Sequence, residues 1–214
     1  MDENTTLVID SATEACSVAL VRDGASVAGH WRLLGRGHAE QLVPMIAALP
    51  EKGRAGRIAV ALGPGSFTGV RVGLAAARGL ALAWGARLVG YPTPALIAAQ
   101  ARAQAGAQPV GVAITGGHGE WFVAAYDAEG RETLPLASLT PEAAAHAALP
   151  ALVAGNQAGA LVARRGHGTA LDLAPDARAF PLLPVGLLTA DIAPLYGRAP
   201  DARLPGGAVP AAQG

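Results

Sequence analysis

Residues 58–84 read IAVALGPGSFTGVRVGLAAARGLALAW, and three kinds of structure follow one another within them. Ile58 to Leu62 is an unbroken apolar run. A strand apolar at every position is buried on both faces, so this one belongs in the middle of a covered sheet. Gly63 to Gly69, GPGSFTG, is a loop in which glycine permits positive φ and close approach of another chain or a ligand. Val70 to Trp84 then repeats apolar residues at helical spacing, with Arg71 and Arg78 its only charges. This order sets free helix N–H groups at the end of a buried strand, where an anion is favoured.

The loop matches none of the common nucleotide fingerprints. The third glycine of G-x-G-x-x-G would fall on Thr68, and no Asp or Glu occurs from Val70 to Gln104. No Lys-Ser or Lys-Thr follows, and Pro64 takes the first position of a G-x-S-x-G elbow around Ser66. Two readings stand: a tight strand-to-helix turn, or an anion or nucleotide site made by Gly63, Gly65, Ser66 and Gly69 together with Asp10. Asp10 closes an earlier strand beside Ser11 and Thr13, where a carboxylate can hold a metal-bound phosphate or cap the turn.

Upstream, Thr6 to Asp10, Cys16 to Arg22 and Ala25 to Arg32 read as strands, the last two joined by the hairpin signal Asp23-Gly24. His38 to Leu49 has helical spacing, and Pro50 to Gly56 is a polar break. Downstream come a strand, Arg87 to Tyr91, and a helix, Pro94 to Gln104. A second meander, Pro109 to Thr115, Glu120 to Asp127 and Arg131 to Leu136, opens the other half as the first half opened. Pro141 to Ala148 reads as a helix and Ala151 to Ala154 as a strand; beyond them the pattern fades. The expected architecture is α/β, mixed sheets flanked by helices, with a first half over residues 1–105, a smaller second half over 106–199 and a loosely ordered tail over 200–214.

Composition narrows the function. Hydrophobic residues make up 51% and charged residues 15%, so the chain has a large core and a surface with room for apolar association. Lys plus Arg number 16 and Asp plus Glu 16, which gives no net field for gripping a phosphate backbone. Cys16 is the single cysteine and reads as a small buried strand residue. The first residues lack the charge and apolar run of a secretory leader, and no run is long enough to span a bilayer, so a soluble, cytoplasmic protein is expected. No nucleophile, metal set or Ser-His-Asp constellation can be assembled, so no catalytic residue, metal or cofactor is expected. A phosphate-transfer site would want a second acid at the end of the strand Val110 to Thr115, where Thr115 stands.

VIDSATEACSVAL (Val8 to Leu20), HAEQLVPMI (His38 to Ile46) and GPGSFTGVRVGLAAARGLALAWG (Gly63 to Gly85) together resemble the bacterial TsaB (YeaZ) family. Pro194-Leu195-Tyr196-Gly197-Arg198 resembles its C-terminal P-x-Y-x-R. The resemblance implies an actin/hexokinase-like fold of two related halves, in the ribonuclease H-like (ASKHA) class. It implies an accessory, non-catalytic subunit in the formation of threonylcarbamoyladenosine beside the anticodon of tRNAs reading codons that start with A. The implied partners are a catalytic paralogue, TsaD, and a small ATPase, TsaE, with tRNA met only through the complex and self-pairing when TsaD is absent. The metal-binding histidines of the paralogue fall on Thr93 and Ile97 here. In the resembled family the helices matching His38 to Leu49 and Val70 to Trp84 pair with the paralogue. That implies a contact through His38, Leu42, Met45, Arg71, Leu74 and Arg78, with Gly69 and Gly73 permitting close approach. The competing readings are an ATP-using enzyme of the same fold and a direct tRNA-binding module. A peptidase label carried by some relatives finds no nucleophile here.

Overall fold

The computed structural model describes residues 4–197. Three strands open it as an antiparallel meander: β1 (Thr5–Asp10), β2 (Ala15–Arg22) and β3 (Ala25–Leu33). The two-residue turn at Asp23 and Gly24 has positive φ at both positions, as a tight hairpin requires. Then follow α1 (His38–Ala47), β4 (Arg57–Ala61), α2 (Phe67–Trp84) and β5 (Arg87–Tyr91). The sheet order is β3-β2-β1-β4-β5, with β4 parallel to both β1 and β5.

After α3 (Thr93–Ala105) the plan repeats. A meander of β6 (Val110–Thr115), β7 (Trp121–Tyr126) and β8 (Glu132–Leu139) leads to α4 (Pro141–His146), β9 (Leu152–Ala154), α5 (Ala158–Arg165) and β10 (Thr169–Leu171). The second sheet runs β10-β9-β6-β7-β8, the same order read from the other edge. Two mixed five-stranded sheets with one connectivity, flanked by helices, make the actin/hexokinase-like fold.

All six residues of β1 are buried, because both faces of its sheet are covered. α1 and α2 pack on one face; α3 and a 3-10 turn, Ala177–Leu182, pack on the other. α3 also packs on β6 and β7, so it is shared by the two sheets and joins them into one core.

Two departures from the sequence reading bear on the first sheet. α2 begins three residues earlier than the apolar spacing indicates, because the Ser66 hydroxyl accepts the Gly69 N–H at 3.3 Å and caps it. Its end is set by Gly85 in the left-handed region, φ 65°. The second departure is the course of the chain after β10. Residues 175–196, expected with the second half, return to the first sheet. The Trp31 indole N–H donates to the Pro175 carbonyl at 3.2 Å, and the Leu195 N–H donates to the Leu62 carbonyl at 2.8 Å. Thr189 bridges to Gly90, and Phe180 meets Tyr91 edge to face at 5.6 Å. The expected tail, 200–214, lies outside the described residues.

Candidate functional site

The glycine loop packs against the turn that follows β1. The Ser66 N–H donates to the Ala12 carbonyl at 2.7 Å, and the Ser11 hydroxyl donates to the Gly69 carbonyl at 2.9 Å. A Cβ on Gly65 would overlap the Ala12 carbonyl, one on Gly69 the Ser11 carbonyl, and one on Gly73 would sit 2.5 Å from the Ser11 hydroxyl. Gly69 and Gly73, expected to admit a foreign helix, therefore seat α2 on its own sheet. Gly65→Ala should destabilise the chain by about 3 kcal/mol, since two rigid backbones must part and one hydrogen bond is broken. Gly79→Ala, in open space on the same helix, should stabilise it by about 0.8–1.0 kcal/mol. Urea unfolding of both variants checks the pair; equal shifts would contradict this use of the glycines.

Between the sheets lies a cleft of about 350 Å³, lined by Ala12 to Glu14, Gly65 to Phe67, Ile114 to His118 and Asn156, among others. Of the five residues expected to bind an anion, Gly65 and Ser66 line it; Asp10, Gly63 and Gly69 are buried behind it. Among the described residues the cleft has no Lys or Arg in its lining, and Glu14 puts a carboxylate there. Asn156 clasps the two halves across it. Its amide nitrogen donates to the Glu14 carboxylate at 3.2 Å and to the Thr115 hydroxyl at 3.0 Å, while its carbonyl accepts the Thr115 N–H at 2.9 Å. Gln157 donates to the same hydroxyl at 2.8 Å. Sequence reasoning named neither Glu14 nor Asn156, because a polar pair 142 residues apart leaves no local pattern.

Asp10 is fully buried. One carboxyl oxygen accepts the Ala12 N–H at 3.1 Å, and the other lies 3.3 Å from the Tyr91 hydroxyl, which is also 3.2 Å from the Ile9 carbonyl. Tyr91 has one proton for two acceptors. Burial pushes the Asp10 carboxyl up to about 7, against the two hydrogen bonds, with Asp176 adding a smaller push. Burial likewise pushes the Cys16 thiol up to about 11, so it is an inert core residue. Thr93 and Ile97 are fully buried at the start of α3. Among the described residues no three of His, Cys, Asp and Glu stand close enough to hold a metal, and no helix is long and apolar enough to cross a membrane.

The expected partner surface needs correction. Leu42, Met45 and Leu74 point into the core at 0%, 4% and 3% exposure. His38 is buried too, its Nε2 2.8 Å from the Thr13 carbonyl, where it steadies the turn after β1. These four are the inward stripe of amphipathic helices. The outward stripe is Ala39, Val43 and Ala47 on α1, with Phe67, Arg71, Ala75, Gly79 and Leu82 on α2. Val43, Phe67 and Leu82 are 58%, 68% and 88% exposed, large apolar side chains held in water. Arg71 stacks its guanidinium 3.4 Å over the Phe67 ring and bonds the Tyr196 hydroxyl, and Arg78 donates to the Ile192 carbonyl at 2.8 Å. Both arginines are exposed and bind the returning C-terminal segment to α2.

The family described as TsaD, tRNA N6-adenosine threonylcarbamoyltransferase, matches residues 32–187. The chain is 42% identical over 125 residues to the tRNA threonylcarbamoyladenosine biosynthesis protein TsaB of Escherichia coli, a match covering 56% of this chain and 54% of that protein. It thus spans about half the length of that curated relative. Among solved structures, a Pseudomonas aeruginosa protein described as similar to peptidase YEAZ is 33% identical, with a TM-score of 0.72 over 84% of this chain and 89% of that one. YeaZ from Pseudomonas aeruginosa is 31% identical, with a TM-score of 0.71 over 82% and 88%. The duplicated sheets, the glycine loop seated on the β1 turn and these likenesses agree: the chain belongs to the TsaD-related family and, within it, to the TsaB (YeaZ) group.

Proposed function

We propose that the chain is the non-catalytic subunit that pairs with a TsaD-like transferase. With a TsaE-like ATPase, that pair places the threonylcarbamoyl group on N6 of the adenosine next to the anticodon, in tRNAs reading codons that begin with A. The observation that carries this reading is a contrast between two surfaces. Among the described residues the cleft, where a nucleotide enzyme of this fold would work, has a carboxylate and no Lys or Arg in its lining, and the buried Asp10 lies behind the wall with its carboxyl pushed up to about 7. A polyphosphate entering there meets repulsion and finds no cationic clamp among those residues. The outer face of α1 and α2 carries exposed apolar and small side chains, the composition of an association surface. The names of the relatives supply the pathway.

Co-expression with the organism's TsaD-like protein tests the reading. The two chains should co-elute on gel filtration as a complex, and the chain purified alone should turn over ATP no faster than a blank and hold no stoichiometric metal. Separate elution at micromolar concentration, or robust ATP turnover by the chain alone, would overturn it.

A further inference from the structure

The neutral net charge conceals an uneven distribution. Residues 4–105 hold ten Lys and Arg against five Asp and Glu, whereas residues 106–197 hold four against eight. In the first half, four of these cations gather at the end of the sheet away from the glycine loop. Lys52 and Arg54 lie in and just after the 3-10 turn Pro50–Gly53 that follows α1. Arg57 opens β4, and Arg87, which follows the last turn of α2, opens β5. Arg57 and Arg87 are register partners on adjacent parallel strands, which puts their side chains on the same face about 4.8 Å apart at the backbone.

Like charges set opposite one another on a sheet are destabilising, and an acid between them is the usual remedy. None is present. Among the described residues Lys52, Arg54, Arg57 and Arg87 are in no ion pair, and the nearby Glu51 is 3.8 Å from Arg22 instead. Arg57 spends its Nε on the Thr6 hydroxyl at 2.8 Å, which fixes the guanidinium in place. Burial, and then Arg87, push its pKa down, as expected where the charge lacks a counter-ion. Lys52, Arg54 and Arg87 are exposed. The other basic cluster, around Arg164 and Arg165, is already used: Arg164 pairs with Glu142 at 2.8 Å, and Arg165 is spent on four backbone carbonyls.

Position supplies the second argument. The four cations sit at the end of the sheet where α1 and α2 end: Lys52 and Arg54 follow α1, while Arg57 and Arg87 lie on the face that also carries Tyr91, opposite α2, so together they line one rim of the sheet. On the reading that a transferase docks on the outer face of α1 and α2, this rim borders the dock and is within reach of an RNA that the transferase carries. We propose that Lys52, Arg54, Arg57 and Arg87 form a phosphate-contact surface for the backbone of the RNA substrate. Such a surface positions the RNA without reading its sequence. This inference rests on the proposed function for the identity of the anion, but its test does not need the transferase.

The test titrates a labelled transfer RNA with the full chain alone, starting at low salt, where backbone contacts are strongest. The variant is Lys52→Ala/Arg54→Ala/Arg87→Ala, which spares Arg57 because it holds Thr6; Arg131→Ala, on the other sheet, is the control. Circular dichroism melting should show all three proteins folded alike. The wild-type chain should bind measurably at low salt. The triple variant should bind at least tenfold more weakly, and its plot of log K against log salt should be shallower by about 0.7–0.9 for each phosphate it no longer neutralises. Unlabelled polyglutamate of matched charge should not compete. An unchanged affinity and slope, or no binding by the wild type even at low salt, overturns the proposal. So does competition by polyglutamate that depends on the same three residues, which would assign the rim to an acidic protein segment. Failure of the pathway reading would appear separately, as separate elution of the two chains on gel filtration.

Discussion

Asp10→Asn should stabilise the chain at pH 8 and change it little at pH 5. The Asp10 carboxyl has a folded pKa of about 7, raised from an ordinary value of 3.8 by burial. Between those values the folded state holds a proton that the unfolded state has released. Stability therefore declines as pH rises from about 4 to about 7 and is level above that. A shift of this size, at about 1.4 kcal/mol per unit, is on the order of 4 kcal/mol lost at pH 8 relative to pH 4. Asparagine cannot ionise. Its carbonyl can still accept the Ala12 N–H, and its amide can donate to the Tyr91 hydroxyl, leaving one amide hydrogen without a partner at a cost of about 1–2 kcal/mol. The net gain at pH 8 is on the order of 2–3 kcal/mol. Urea unfolding at both pH values checks it. A wild type equally stable at pH 5 and pH 8, with an Asn variant weaker by the same amount at each, would show that Asp10 is an ordinary carboxylate.

The same residue shows where sequence reading stops. The strand ending in Asp10, the hairpin at Asp23 and Gly24, the buried run from Ile58 and the helix after GPGSFTG were all legible, because hydrophobic period and turn chemistry are local. The second meander was legible for the same reason. α5 and β10 were not: AGALVARR is short and alanine-rich, and the three residues of β10 become a strand only through pairing with β9. Whether Asp10 faces a ligand or the core depends on Tyr91, 81 residues away, and no spacing rule carries that. The helices proposed to face a partner were legible as elements, but their outward stripe was not. Leu42, Met45 and Leu74 look like contact residues when only apolar spacing is considered; the packing of α1 and α2 on the sheet shows which side each stripe takes.

That correction changes what mutation should do. Leu74→Glu or Met45→Glu puts a charge into the chain's own core, and the expected result is loss of folding, because an unpaired buried carboxylate costs several kcal/mol of a stability of about 5–15 kcal/mol. Val43→Glu and Leu82→Glu place the same charge on side chains that are 58% and 88% exposed, and the folded chain should be unaffected. In the proposed complex these positions are buried. Helices packed through Ala75 and Gly79 approach closely, so a charge beside them has neither room nor water. A cost of about 3 kcal/mol per buried charge is roughly a hundredfold in affinity.

The most direct measurement is the affinity of the TsaD-like protein for the wild-type chain and for Val43→Glu/Leu82→Glu, by titration calorimetry, with circular dichroism confirming the fold of both. Docking on the outer face of α1 and α2 predicts that the double variant melts like the wild type and binds at least a hundredfold more weakly. A folded double variant that binds the transferase at wild-type strength would contradict it and place the contact elsewhere on the molecule.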